Sequence, residues 1–138
     1  MTPTPCAIHA PLPLTASVDL DRLLAAIAQV ERVRGSHRRG SHGERGKYQM
    51  TRDAWDEDAG GLPFAHAEND AYSDIVARAR LVRLRYELLE RRLEPSAYNL
   101  ALCWNGGEGG AVRVILKKWS PPEMRDYAER VSALYRSP

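Results

Sequence analysis

Residues 17–35 read Ser17-Val18-Asp19-Leu20-Asp21-Arg22-Leu23-Leu24-Ala25-Ala26-Ile27-Ala28-Gln29-Val30-Glu31-Arg32-Val33-Arg34-Gly35. Leu20, Leu23, Leu24 and Ile27 recur at helical spacing and form one apolar stripe. Ser17 is placed to cap the helix, Asp19 and Asp21 suit its positive first turn, and Gly35 supplies a stop. Glu31, four residues after Ile27, continues the inward stripe. A carboxyl group there is partly taken out of water and lies near the negative end of the helix dipole, and both effects favour its neutral form. Held neutral near about pH 6, it can give a proton to a leaving oxygen. An exposed Glu paired with Arg32 or Arg34 is the plainer alternative.

Outward from this helix the pattern stays helical. A polar, glycine-broken stretch follows to Lys47. Thr51 is placed to cap a short helix through Trp55 to Ala59, ended by Gly60-Gly61. The longest helix is expected after Asn69-Asp70, running to Leu93. Ile75, Ala79, Val82, Tyr86 and Leu89 are taken as its inward face, with Arg78, Arg80, Arg83, Arg85, Arg91 and Arg92 on the solvated remainder. Pro95 is placed to open a helix through Trp104, broken by Asn105-Gly106-Gly107. Residues 112–116 suit one or two helical turns. A last helix from Ser120-Pro121-Pro122 buries Met124, Tyr127, Ala128, Val131, Leu134 and Tyr135. Four prolines in residues 1–16 argue for an extended or disordered lead-in, leaving 17–138 as a single, mainly α domain.

Bulk composition agrees with one globular core: 138 residues, 43% hydrophobic, 28% charged, net charge +2. No run approaches the roughly 20 apolar residues of a membrane span. Residues 1–16 lack Lys and Arg, so as written they are not a secretory signal. Cys6 and Cys103 are too few for a disulfide framework, and a free, buried Cys103 is expected. The basic loop of Arg32, Arg34, Arg38, Arg39, Arg45 and Lys47 could meet phosphates, but no nucleic-acid motif accompanies it, and no nucleic-acid partner is expected. His37 and His42 lack Cys or carboxylate partners at metal-ligand spacing, so neither a metal nor a cofactor is expected.

The second group of chemistry-bearing residues is Gly43-Glu44-Arg45-Gly46-Lys47-Tyr48-Gln49-Met50, where a glycine turn leads into an aromatic ring and a neutral amide. Trp104-Asn105-Gly106-Gly107 repeats that combination at a helix end. Sugars need donors and acceptors for their hydroxyls and aromatic faces to stack on. An ordinary loop with a core tyrosine and a common Asn-Gly turn are the plainer readings.

Together these residues resemble the lysozyme-like fold of soluble lytic transglycosylases. In that family a catalytic Glu is followed at twelve, fifteen and eighteen positions by Gly, Gly and Gln, matched here by Glu31, Gly43, Gly46 and Gln49. The family's Tyr-Asn-x-Gly type motif resembles Trp104-Asn105-Gly106-Gly107, with Tyr98-Asn99 a competing match. Gly46-Lys47-Tyr48-Gln49-Met50 followed by Trp55 is similar to a compact bacterial branch that also carries Asn-Gly-Gly. The family usually has Ser and an aromatic where this chain has Arg32 and Arg34, and a Ser where it has Gly40.

The resemblance implies a lysozyme-like helical domain with a glycan-binding cleft between the loop after Glu31 and the turn at Asn105. It further implies a peptidoglycan glycan strand as partner and cleavage of its β-1,4 bonds by single-Glu acid/base catalysis. Glu31 would be catalytic, and Gln49, Tyr48, Gly46, Asn105 and Trp104 would bind substrate. The site would then work in the periplasm or outside the cell. A hydrolase would want a second carboxylate about 5–5.5 Å or 6.5–9.5 Å away. Glu44, Asp53 and Asp56 are available, and none stands at a marked position. A catalytically degenerate glycan-binding or assembly module on the same scaffold is the alternative.

Overall fold

Helix α1 spans Leu20–Arg34 and is the element from which the site projects. The computed structural model describes residues 17–34, 40, 42–107 and 121–137. The expectations for residues 1–16, for Gly35, His37, Arg38 and Arg39, and for the helical turns at 112–116 lie outside the described residues. Leu20, Leu23, Leu24, Ile27 and Val30 are buried, and Glu31 lies on the same face. The cap differs from expectation. Asp19, not Ser17, closes the first turn, its Oδ1 accepting the backbone N–H groups of Asp21 at 3.1 Å and Arg22 at 3.2 Å. A carboxylate adjoining the first turn satisfies two orphan donors and meets the positive end of the dipole, which a hydroxyl two residues earlier does not.

The chain is mainly helical, and among the described residues it contains no strand, only an isolated antiparallel bridge between Arg45 and Met50. After α1 come α2 (Arg52–Asp58), a 3-10 turn (Phe64–Glu68), α3 (Asp70–Glu90), α4 (Ala97–Gly106) and α5 (Pro122–Arg136). Thr51 caps α2 as expected, accepting from the Ala54 N–H. Ser96 caps α4 one residue after Pro95, accepting from the Asn99 N–H at 3.0 Å. Helix α5 packs along α4 and α1, burying Met124, Tyr127, Ala128 and Val131. The Tyr135 hydroxyl accepts the Asp19 N–H at 3.0 Å, and Arg22 donates to the Ser137 carbonyl at 2.6 Å, so α5 holds the start of α1. Cys103 is free and buried. No helix among the described residues is long and apolar enough to cross a membrane.

Helix α3 overturns the expected assignment of its faces. Its buried residues are Ser73, Val76, Ala77, Arg80, Leu81, Leu84 and Leu88. Ile75, Val82, Tyr86 and Leu89, expected inside, are exposed, and so is Ala79. Arg80, expected on the solvated side, is 6% exposed. The helix carries two apolar stripes of the same period, and periodicity alone does not say which faces in. It also stops at Glu90 rather than Leu93. Arg92 turns left-handed (φ 58°) and the Leu93 N–H returns to the Leu88 carbonyl at 2.9 Å, satisfying a carbonyl that would otherwise be left over.

This reassignment is testable by urea denaturation. Leu81→Ala is expected to cost about 2–5 kcal/mol, whereas Ile75→Ala should change stability by no more than about 0.5 kcal/mol. The reverse order would restore the discarded face.

Candidate functional site

Glu31 lies in the last turn of α1, 7% exposed, and lines a cavity of about 470 Å³. Gln49, Trp104 and Asn105 line the same cavity, together with Glu44, His42, Thr51, Gly40 and Arg80. The fold therefore brings four of the six expected site residues to one place: Glu31, Gln49, Trp104 and Asn105.

The loop between α1 and α2 is fitted to its surroundings by glycines. Gly46 has φ +80° and is pressed against the chain before α3: a Cβ there would sit 1.9 Å from the Ala67 carbonyl oxygen. That carbonyl also accepts from the Ser73 hydroxyl at 2.7 Å. Gly46 thus seats the loop and does not itself line the cavity. Its own carbonyl accepts the backbone N–H of Gln49 at 3.0 Å and the Gln49 side-chain Nε2–H at 2.8 Å. These bonds hold Gln49 in its left-handed conformation (φ 48°), a state that costs energy for a residue with a Cβ. At the other end of the loop, the Glu44 carboxylate accepts the His42 N–H at 2.8 Å. A Cβ on Gly40 would meet Glu44 Oε1 at 2.5 Å and Gln49 Oε1 at 2.6 Å, so a side chain there would displace the ends of these two residues.

Tyr48 departs from its expected role. Its ring is buried, edge-on to Trp104 with centroids 6.2 Å apart. Its hydroxyl donates to Asp74 at 2.6 Å, and the residue lines a different cavity, shared with Lys47, Asp74 and Arg78. Burial, and then the hydrogen bond to Asp74, push the Tyr48 phenol well above its ordinary range. Tyr48 therefore supports the back of Trp104 and does not face the site. For Asp74, burial acts to raise the carboxyl pKa, but hydrogen bonds from Lys47 and Tyr48 and the Lys47 charge outweigh it and hold it below the usual carboxylate range. Lys47 Nζ lies 2.7 Å from Asp74.

Arg80 is the site residue that pattern reading missed. From α3 it reaches the cavity, its guanidinium 5.2 Å from the centroid of the Trp104 ring. It donates to Glu57 at 3.2 Å and lies 3.7 Å from Asp58. The available signal was its place on the stripe of Ser73, Ala77, Leu81 and Leu84, which a charged residue occupies only when paired. Of the candidate second carboxylates, Glu44 lines the cavity, while Asp53 and Asp56 are exposed on α2. His42 is an exposed rim residue, and the described residues hold no group of three metal-ligating side chains. Tyr98-Asn99 sits in the first turn of α4, where the Asn99 amide donates to the Glu94 carbonyl at 2.8 Å.

No protein-family model, curated protein or solved structure matches this chain. A buried glutamate, two amides, an indole, a paired cation and a second carboxylate surround one open cavity.

Two comparisons test this construction. Gly43 also has positive φ, but a Cβ there would meet no described atom within 4 Å. Gly46→Ala should therefore destabilise by about 1–3 kcal/mol more than Gly43→Ala, read from denaturant midpoints. For Asp74 the folded pKa is depressed, so its pairing stabilises fully above the unfolded value of about 3.9 and fades as pH falls through the folded value. The Tm gap between wild type and Asp74→Asn should accordingly be widest near neutral pH and close below about pH 4. A gap independent of pH would contradict this.

Proposed function

We propose that the protein is a peptidoglycan-cleaving glycosidase of lysozyme-like character, with Glu31 as its general acid. The observation that carries this reading is the setting of Glu31: a residue only 7% exposed, lining a cavity that Gln49, Trp104 and Asn105 also line. A glutamic acid placed there can deliver a proton to a leaving oxygen. Gln49 and Asn105 supply amide donors and acceptors for sugar hydroxyls and acetamido groups, and the Trp104 indole gives an apolar contact.

In the proposed step Glu31 gives its proton to the oxygen joining N-acetylmuramic acid to N-acetylglucosamine. The bond from the anomeric carbon to that oxygen breaks, and the departing sugar leaves with the electron pair and the proton. Two completions balance. The sugar's own 6-hydroxyl can close on the anomeric carbon and return its proton to Glu31, giving an anhydro sugar. A water molecule can add instead, giving a reducing end. Glu44 lines the same cavity, and in the second route it would act as base toward the water. A non-catalytic glycan-binding module is the reading to be excluded by experiment.

The test uses purified cell walls with wild type, Glu31→Gln and Glu44→Gln. Glu31→Gln should lower the rate of wall clearing at least about a hundredfold while leaving wall binding and Tm close to wild type. Mass spectrometry of the fragments should yield reducing ends, lost in Glu44→Gln, for the hydrolytic route, or anhydro ends that survive Glu44→Gln for the intramolecular one. Wall binding without fragments from wild type would leave the binding module as the function.

A further inference from the structure

The face of α3 turned away from the core has its own regular pattern. Tyr72, Ile75, Ala79, Val82, Tyr86 and Leu89 follow at alternating steps of three and four residues, the a and d positions of a heptad repeat. Ile75 is 65% and Tyr86 61% exposed, and Tyr72, Val82 and Leu89 are exposed as well. The stripe extends along a helix of 21 residues, a length of about 30 Å. Isolated apolar side chains on a surface need no explanation, but a continuous seam marks an interaction site. Between Ile75 and Val82 the small Ala79 forms the floor of a shallow groove of about 640 Å³, walled by Arg78, Arg83 and Tyr86. A large side chain followed by a small one leaves a hole that a knob from another helix fills.

The charges beside the seam select the occupant. Arg78 and Arg85, seven residues apart, flank it on one side, and Arg83 stands on the other. Arg78 already pairs with Asp21, and Arg83 with Asp58 at 2.7 Å and Glu87 at 2.9 Å, so both edges engage carboxylates within the chain. Arg85 has no ion pair among the described residues and is half-buried.

We propose that the α3 seam docks an amphipathic helix of another protein, with apolar residues at its a and d positions and Asp or Glu at its flanking positions. A second copy of this chain fits poorly. Antiparallel pairing would set Arg78 and Arg85 against their own copies. Parallel pairing would set Arg78 against Arg83, leaving one favourable contact between Arg85 and Glu90. A lipid surface fits poorly as well. An interfacial helix buries a broad apolar face, whereas this one is a narrow seam with Ala79 at its centre and Asp74 and Glu90 beside it. The proposal does not depend on glycan cleavage.

The experiment is fluorescence anisotropy with a labelled heptad peptide carrying Leu at a and d and Glu at e and g, whose own charges keep it from self-pairing. Wild type should bind it. The double variant Val82→Glu/Tyr86→Glu, changed only at exposed positions and checked for unaltered circular dichroism, should bind at least about tenfold more weakly. The same peptide with Lys at e and g should also bind at least about tenfold more weakly to wild type. Equal binding by wild type and variant, equal binding of the two peptides, or no binding of either would overturn the proposal. So would dimerisation in analytical ultracentrifugation that Val82→Glu abolishes, which would assign the seam to a second copy. Co-sedimentation with phosphatidylglycerol vesicles in place of peptide binding would assign it to a lipid surface.

Discussion

The burial of one guanidinium sets the arrangement of this protein. Withdrawing the Arg80 guanidinium from water is costly unless its charge is met. Glu57 and Asp58 meet it from α2, and Trp104 covers it from α4. Those three contacts tie together α2, α3 and α4 and fix the rotation of α3 about its own axis. With Arg80 turned inward, Val76, Ala77, Leu81, Leu84 and Leu88 become core, and the equally apolar stripe of Ile75, Val82, Tyr86 and Leu89 is left facing out. A buried cation also raises the penalty for alternative rotations, since turning the helix to bury the other stripe would give up these pairings.

The same residue links the scaffold to the cavity. Trp104 is contacted by both the Arg80 cation and the ring of Tyr48. Tyr48 is anchored by Asp74, which is held by Lys47. The loop carrying Gln49 is seated by Gly46 against the Ala67 carbonyl. Glu31 arrives from α1, whose start is held by Tyr135 and whose apolar face lies in the core. The residues around the cavity therefore come from separate elements, and each is positioned by packing or hydrogen bonds behind it. Such packing holds the side chains around the cavity in fixed relative positions.

Much of this was legible in the residues. The α1 stripe, the Thr51 cap, the glycines ending α2 and the buried side of α5 all follow from local rules, because each segment has only one apolar face or one matching cap. That Glu31, Gln49, Trp104 and Asn105 gather around one cavity agrees with the grouping the resemblance implied. The facing of α3 was not legible, since two stripes of equal period compete and the deciding partners, Glu57, Asp58 and Trp104, lie far away in sequence. The misassignment of Arg80 follows directly from that. Tyr48 and Gly46 sit beside true cavity residues in the chain. Only the three-dimensional turn shows that one faces backward to Asp74 and the other packs on Ala67. The cap at Asp19 in place of Ser17 is a shift of two residues, decided by which side chain adjoins the first turn.

The most direct measurement of the proposed chemistry is a crystal structure of the Glu31→Gln variant with a bound peptidoglycan tetrasaccharide. The expected result is a glycosidic oxygen within about 2.6–3.2 Å of the substituted side-chain amide, with sugar hydroxyls or acetamido groups bonded to Gln49 and Asn105. A saccharide bound away from this cavity, or one whose glycosidic oxygens all lie out of reach of that amide, would contradict it.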